Sequence, residues 1–343
     1  MMTRRSLTCL SIALAVAAPA TAQVDPLIAA SVADPSAASP LRQVTLFVDD
    51  ESAARRFFVD AMTMVAMPTH KLSAAAARRV GLARDANALV MTRPGLEAAN
   101  VRIFSSPSAP PPLRPTHAAQ APGGLAMGMP VADQMKREKI VSAAGFTSVV
   151  GATQMTLPRG DGSTYTVNEI HYRAPSGVLV LGIDRGAMRP VGPIDAASRI
   201  GGPAYASIVV ADLPASERFM KHVLRYEKRR DAVFTSAGSK GGLGLPDGQR
   251  FAFQQWFAPG STTGYVILMD MLDVPSPPAA GGFARTGLVM LGFDAADLGA
   301  IAERARVAGA RIIAKPDAKS RSLILAMPDG FLIEISPRVG GNR

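Results

Sequence analysis

From Val44 the chain alternates apolar and polar positions through Val44-Thr45-Leu46-Phe47-Val48, the two-residue period of a strand. At Asp49-Asp50 the period changes. Ala53, Phe57, Ala61 and Met64 recur at three- and four-residue spacing, with Arg55, Arg56 and Asp60 outside the apolar stripe, so a helix is predicted from Ser52. A short helix at 73–80, stopped by Gly81, and strands at 88–92 and 101–105 follow. The succession then begins again. A strand at 125–131 leads to Asp133 and a helix at 134–144 closed by Gly145. Strands at 148–157 and 164–173, joined by the turn at 159–162, precede a strand at 178–183. A third round has a strand at 207–210, a helix at 215–224, and strands at 232–235, 250–257 and 265–270. A fourth has a strand at 288–293, a helix at 297–308, and strands at 311–314, 322–326 and 331–335.

The rounds match residue by residue. Val48, Asp50, Ala53, Arg56 and Phe57 recur at one constant offset as Val210, Asp212, Ala215, Arg218 and Phe219. Asp133, Ala144 and Gly145 recur as Asp297, Ala308 and Gly309. Each half also ends on one phrase, Pro175-Ser176-Gly177-Val178-Leu179-Val180-Leu181 and then Pro328-Asp329-Gly330-Phe331-Leu332-Ile333-Glu334. Pro-x-Gly is turn chemistry, and the apolar run after it is a buried strand. In the second copy Leu332, Glu334 and Ser336 share one face and Phe331, Ile333 and Ile335 the other. A lone carboxylate on such a strand has to be paired, solvated by a pocket, or bound to something. The chain is therefore a tandem duplication whose halves each contain two strand–helix–strands units.

Four βαβββ units opening on V-x-D and closing on P-x-G-x-L-[VI]-x resemble the vicinal oxygen chelate superfamily. Glyoxalase I, bleomycin-resistance proteins, extradiol dioxygenases and methylmalonyl-CoA epimerase belong to it. The resemblance implies an α+β fold in which two units build a cup-shaped sheet, with helices outside and ligand in the concavity. Consecutive pairing of units gives two tandem cups, 41–185 and 202–338, with a linker at 186–201 where a domain boundary should lie. The resemblance also implies a divalent metal held by His or Gln on opening strands and Glu on closing strands. At the opening positions stand Gln43, Ala126, Tyr205 and Met290 (or Gly287 in another register), and at the closing positions Leu181 and Glu334. Each cup then keeps at most one ligand, and one oxygen does not hold a metal against water. No cofactor is expected, with a divalent metal as the alternative.

Composition narrows the class. Arg4 and Arg5, the apolar stretch 7–18 and Ala20-Thr21-Ala22 have the form of a secretory signal at 1–22, followed by an Ala/Ser/Pro-rich, disordered lead-in at 23–40. An exported, periplasmic or secreted chain is expected. It would lack Cys9, the single cysteine, and with it thiol catalysis and disulfides. No run is long enough to span a membrane. The formal charge of +10, or +8 without Arg4 and Arg5, is spread along the chain and not interleaved with aromatics. Nucleic acid is therefore not an expected partner.

Glu334 is a candidate relic ligand, general base or ligand-binding acid; its structural alternative is a bond to a neighbouring Tyr or Arg. Tyr205, expected in the same cup, either donates to a substrate oxygen or packs with a satisfied hydroxyl. Glu169 and His171 share a strand face, which suits a carboxylate–imidazole pair, the start of a metal site, or an ordinary polar hairpin face. Gln43, Leu181, Tyr205, Trp256, Met290 and Glu334 are the expected pocket residues. The leading expectation is an exported protein binding a small, partly apolar molecule without a metal. The alternatives are a metal-dependent lyase, isomerase or dioxygenase, and a non-catalytic scaffold whose cups are filled by their own side chains.

Overall fold

The computed structural model describes residues 31–338 apart from 70, 117–118, 159–162, 239–241, 274, 276–281 and 318–320. The expected signal with Cys9, the start of the lead-in, His70, His117 and the turn at 159–162 lie outside the described residues.

The first module comprises β1 (Gln43–Val48), α1 (Glu51–Arg55) continued by a π-helical segment (Arg56–Ala61), β2 (Val65–Pro68), α2 (Ala74–Val80), β3 (Asn87–Thr92) and β4 (Asn100–Ser105). The second has β5 (Gly123–Pro130), α3 (Gln134–Ala143), β6 (Ser148–Pro158), β7 (Thr164–Arg173) and β8 (Leu179–Asp184). The third has β9 (Tyr205–Val209), α4 (Leu213–Arg218) with a π-helical segment (Phe219–Val223), β10 (Glu227–Ala237), β11 (Asp247–Phe257) and β12 (Tyr265–Met271). The fourth has β13 (Gly287–Ala295), α5 (Leu298–Val307), β14 (Arg311–Ala314), β15 (Leu323–Ala326) and β16 (Leu332–Pro337). Only β2, a short edge strand, had no alternation to announce it.

The repeated aspartates begin the helices. Asp50, Asp133, Asp212 and Asp297 each accept the backbone N–H three residues on, from Ala53, Lys136, Ala215 and Ala300. In the closing phrases, Ser176 and Gly177 take φ of 58° and 76° and Gly330 takes 81°, left-handed values that favour glycine.

The sheets depart from the expected pairing. One runs β14-β15-β16-β13-β1-β4-β3-β2 and the other β10-β11-β12-β9-β5-β8-β7-β6. The first module thus shares a cup with the fourth, and the second with the third, so neither 41–185 nor 202–338 is a cup by itself. Each opening strand lies parallel to its own closing strand, as β1 does to β4 and β13 to β16. A cup is completed where two opening strands meet antiparallel, β1 with β13 and β5 with β9. The expected boundary rested on the long segment from Ala187 to Pro203, but that from Ser106 to Pro122 is equally long. Linker length therefore gave no preference between the two pairings.

Helices cover the convex faces of both sheets over one continuous core that includes Phe57, Phe58, Met220, Trp256, Leu291, Phe293, Ile333 and Ile335. Phe57 meets Phe58 and Phe146 edge to face. The two sheets approach one another at β5 and β13, where a Cβ on Gly124 would lie 2.2 Å from the Leu288 carbonyl oxygen. The expected disordered lead-in is ordered where described. Ala37, Ala38 and Ser39 are buried, the Ala38 and Ser39 N–H groups donate to the carbonyls of Leu224 and Asp294, and Tyr226 Oη donates to Ser39 O. Its backbone satisfies groups at a helix end and beside β13, which composition does not reveal. Among the described residues no helix is long and apolar enough to cross a membrane.

Candidate functional site

The two cups have diverged, one filled and one open. In the β1/β13 cup, Phe47, Phe104, Met290 and Leu332 rise from the floor against Val80 of α2 and Phe283. Phe283 lies edge-on to Phe47 at 5.3 Å and to Phe104 at 5.6 Å. This concavity is a side-chain core, plugged by a helix inserted between β2 and β3.

Glu334 stands in that core, ion-paired with Arg102 of β4, and both side chains are buried. Arg102 also donates to Thr45 Oγ1 at 3.1 Å and sits 5.1 Å from the Phe104 ring centre. The bland reading of Glu334, a bond to a neighbouring arginine, matches what is observed. Gln43 and Glu334 do come onto one sheet, flanking Gly292 in register from either side. They nonetheless do not fit a metal. The carboxylate is taken by a guanidinium, a fixed cation stands where a metal would have to, and Met290 offers only a thioether within an apolar core. Among the described residues no group of three or more His, Cys, Asp or Glu side chains could hold a metal ion.

The β5/β9 cup is open and encloses a cavity of about 380 Å³. Of the expected pocket residues Leu181 and Tyr205 line it, as do Glu169 and His171, whereas Gln43, Met290, Glu334 and Trp256 do not. Tyr205 and Glu334 therefore lie in different cups. Trp256 points to the helix side because β11 alternates. Phe251, Phe253 and Gln255 face the cavity, while Trp256 sits in the main core with its Nε1 donating to Gln254 Oε1 at 3.1 Å.

The polar groups of the cavity converge from four strands and a loop. On β7, His171 Nε2 and Glu169 Oε2 are 3.2 Å apart, and His171 Nδ1 is buried with no hydrogen-bond partner among the described residues. A Cβ on Gly242 would come within 2.1 Å of that Nδ1, so the glycine permits the loop to close on the ring. Arg230 of β10 donates to Tyr165 Oη at 3.0 Å, and the Arg185 guanidinium lies 5.3 Å from the centre of the same ring. Tyr205 and Tyr265, register partners on the parallel strands β9 and β12, stack with centroids 4.9 Å apart and planes 20° from parallel. Phe257 continues the stack on Tyr265 at 4.4 Å, and the far side of Tyr205 rests on Gly128, where a Cβ would fall 1.9 Å from Tyr205 Cε1. Burial raises both phenols well above their ordinary range. The charge of Glu169 adds to this at Tyr205, while the Arg185 guanidinium opposes it at Tyr265. The hydroxyls are therefore hydrogen donors at any physiological pH.

The family's ligand positions in this cup carry Ala126, Leu181 and Tyr205, so its donor set does not fit a metal either. Sequence reasoning missed Arg102, Tyr165, Arg185, Arg230 and Tyr265. A signal existed for Arg102, which interrupts the apolar strand Val101–Phe104 as Glu334 interrupts its own.

In sequence the chain matches no family model and no curated protein. In structure it is similar to glyoxalase I from Zea mays, with a TM-score of 0.57 at 14% identity over 86% of this chain and 91% of that one. It is also similar to a candidate dioxygenase from Bacillus subtilis, with a TM-score of 0.56 at 10% identity over 89% and 87% of the two chains. The chain has the vicinal oxygen chelate fold, with four modules in two cups. At such identities the likeness establishes fold alone.

Proposed function

We propose that this vicinal-oxygen-chelate-fold protein binds a small, partly apolar molecule in the β5/β9 cup, without a metal, after export and removal of residues 1–22. The observation that carries the reading is the asymmetry of the cups: one is filled by α2 and Phe283, and the other keeps a cavity of about 380 Å³. That volume and its mixture of apolar walls with a few convergent polar groups are typical of ligand pockets. Leu181→Trp places an indole in the cavity, at a lining residue whose cluster is separate from the main core. The test is native mass spectrometry of the protein from its own compartment. A small molecule should accompany the parent and be missing from the variant, whose melting temperature should be unchanged. Equal occupancy in both, or stoichiometric metal surviving dialysis, would overturn the reading. Intact mass checks export: the chain should begin at Gln23.

The Glu169–His171 contact favours a second reading, a lyase or isomerase working by proton transfer. The carboxylate would take the proton and His171 would orient it. Substrate-independent deuterium exchange into a co-purified ligand, lost in Glu169→Gln, would select it.

A further inference from the structure

On the reading of the β5/β9 cup as a small-molecule pocket, we propose that its ligand is a flat-bodied carboxylate, an aromatic acid or similar, whose two oxygens accept from the Tyr205 and Tyr265 hydroxyls. The two tyrosines leave adjacent parallel strands at register positions, and their rings stack 4.9 Å apart. With roots and rings side by side, the hydroxyls also emerge side by side. Among the described residues neither hydroxyl has a hydrogen-bond partner, yet neither is sealed from the cavity that both residues line. Two donors with no protein acceptor at the wall of a mostly apolar pocket are available to a ligand that supplies acceptors. A carboxylate presents two acceptors at a spacing that suits paired donors.

The sign of the local field agrees. The charged residues among the described lining are Arg185, Arg230 and Glu169, with His171 beside the carboxylate. Both guanidiniums are already engaged with the protein at Tyr165, so they act on a ligand through their charge. Glu169 lies 3.2 Å from His171 and acts on both phenols, but at Tyr265 the Arg185 and Arg230 guanidiniums oppose it, so two cations face one carboxylate at that end of the pocket. Burial keeps both phenols protonated and thus donating. Val167, Ile183, Ile267, Met269 and Phe253 form the walls, which suit a ring and offer little to a sugar or a peptide.

The experiment is calorimetric titration of the full chain with naphthalene-2-carboxylate, naphthalene-2-carboxamide and 2-naphthylmethylammonium, which share a body and differ in the charge of the head. The carboxylate should bind about tenfold or more tighter than the amide, since charge-assisted bonds are the stronger ones, and the ammonium weakest. Tyr205→Phe and Tyr265→Phe, which keep the ring stack, should each weaken the carboxylate about tenfold and narrow its advantage over the amide. Amide or ammonium binding as tight as the carboxylate overturns the anion inference while the pocket reading stands. Binding of none of the three to folded protein overturns both. Unchanged carboxylate affinity in both phenylalanine variants overturns the assignment of the two hydroxyls.

Discussion

Glu334 and Arg102 are two single charges on otherwise apolar strands, 232 positions apart in sequence and hydrogen-bonded in the structure. Neither can be removed alone without leaving its partner charged in a sealed core. Glu334→Ala should therefore cost about 3–5 kcal/mol, read by urea unfolding, whereas Arg102→Met with Glu334→Leu should come close to the parent. A Glu334→Ala variant as stable as the parent would mean that the pair does not hold the cup. The carboxylate's need for a partner was legible from the sequence; which partner was not, because module pairing decides it. A different set of carboxylates governs pH dependence. Asp270 and Asp329 are both raised, first by desolvation and then by the charge of Asp212, with Asp270 acting also on Asp329. A group raised in the folded state binds more protons there than in the unfolded chain, so its contribution to stability falls as pH rises from the ordinary carboxylate value of about 4 through the raised one. Asp270→Asn should hence raise the melting temperature at pH 7, and the gain should vanish on acidification below about pH 4. A gain that persists in acid would refute the electrostatic cause.

Among the elements, the repeated V-x-D phrase that organises the sequence, Ala295-Ala296-Asp297 in its fourth copy, turns out to be helix capping. Its aspartates accept from the first turn of α1, α3, α4 and α5 and stand outside both cups. Replacing any one by Ala should cost about 0.5–2 kcal/mol and by Ser or Asn much less, with probe binding to the open cup unchanged. Loss of binding in Asp212→Ala at intact stability would give that residue a role beyond its cap. Strand existence and facing were readable because two-residue alternation is enforced wherever one face is buried. Phe331, Ile333 and Ile335 accordingly face the helices, and Leu332 and Glu334 the cup. The π-helical segments were not readable. They occur at matching places in the first and third modules, with Met62 and Leu224 N–H donating five residues back to the Phe57 and Phe219 carbonyls. The added residue rotates the helix end without disturbing the three- and four-residue recurrence before it. Trp256 shows the limit of composition at this scale. It stands among the expected pocket residues, and the alternation of β11 sends it to the helix side while Phe251 and Phe253 face the cavity.

At the scale of the whole molecule, the sequence repeat and the structural cup do not coincide, and this makes the two halves interdependent. β1 and β4 of the first half have their sheet completed by β13 and β16 of the second, and β5 and β8 have theirs completed by β9 and β12. The segment from Ala187 to Pro203 is no loose tether either. Arg93 donates to Ser198 Oγ and Ile200 O, and Arg137 to Ser198 O, tying it to the first and second modules. A first half produced alone would expose the antiparallel edges of both β1 and β5, long apolar strands that pair readily with another chain. Residues 31–190 should therefore fail to form a folded monomer and should aggregate or pair with copies of themselves. The second half should behave likewise, and co-expression of the two should restore a one-to-one complex with a single unfolding transition. Cleaving the intact protein within the linker should leave the halves together on a sizing column, held by two sheets and one continuous core. The decisive measurement is the amide spectrum of the isolated first half. Broad dispersion from a stable monomer would show that its modules can close a cup on each other, and would make the observed pairing one of two accessible arrangements. A collapsed or self-associated first half, rescued by the second, is the outcome that the crossed sheets require.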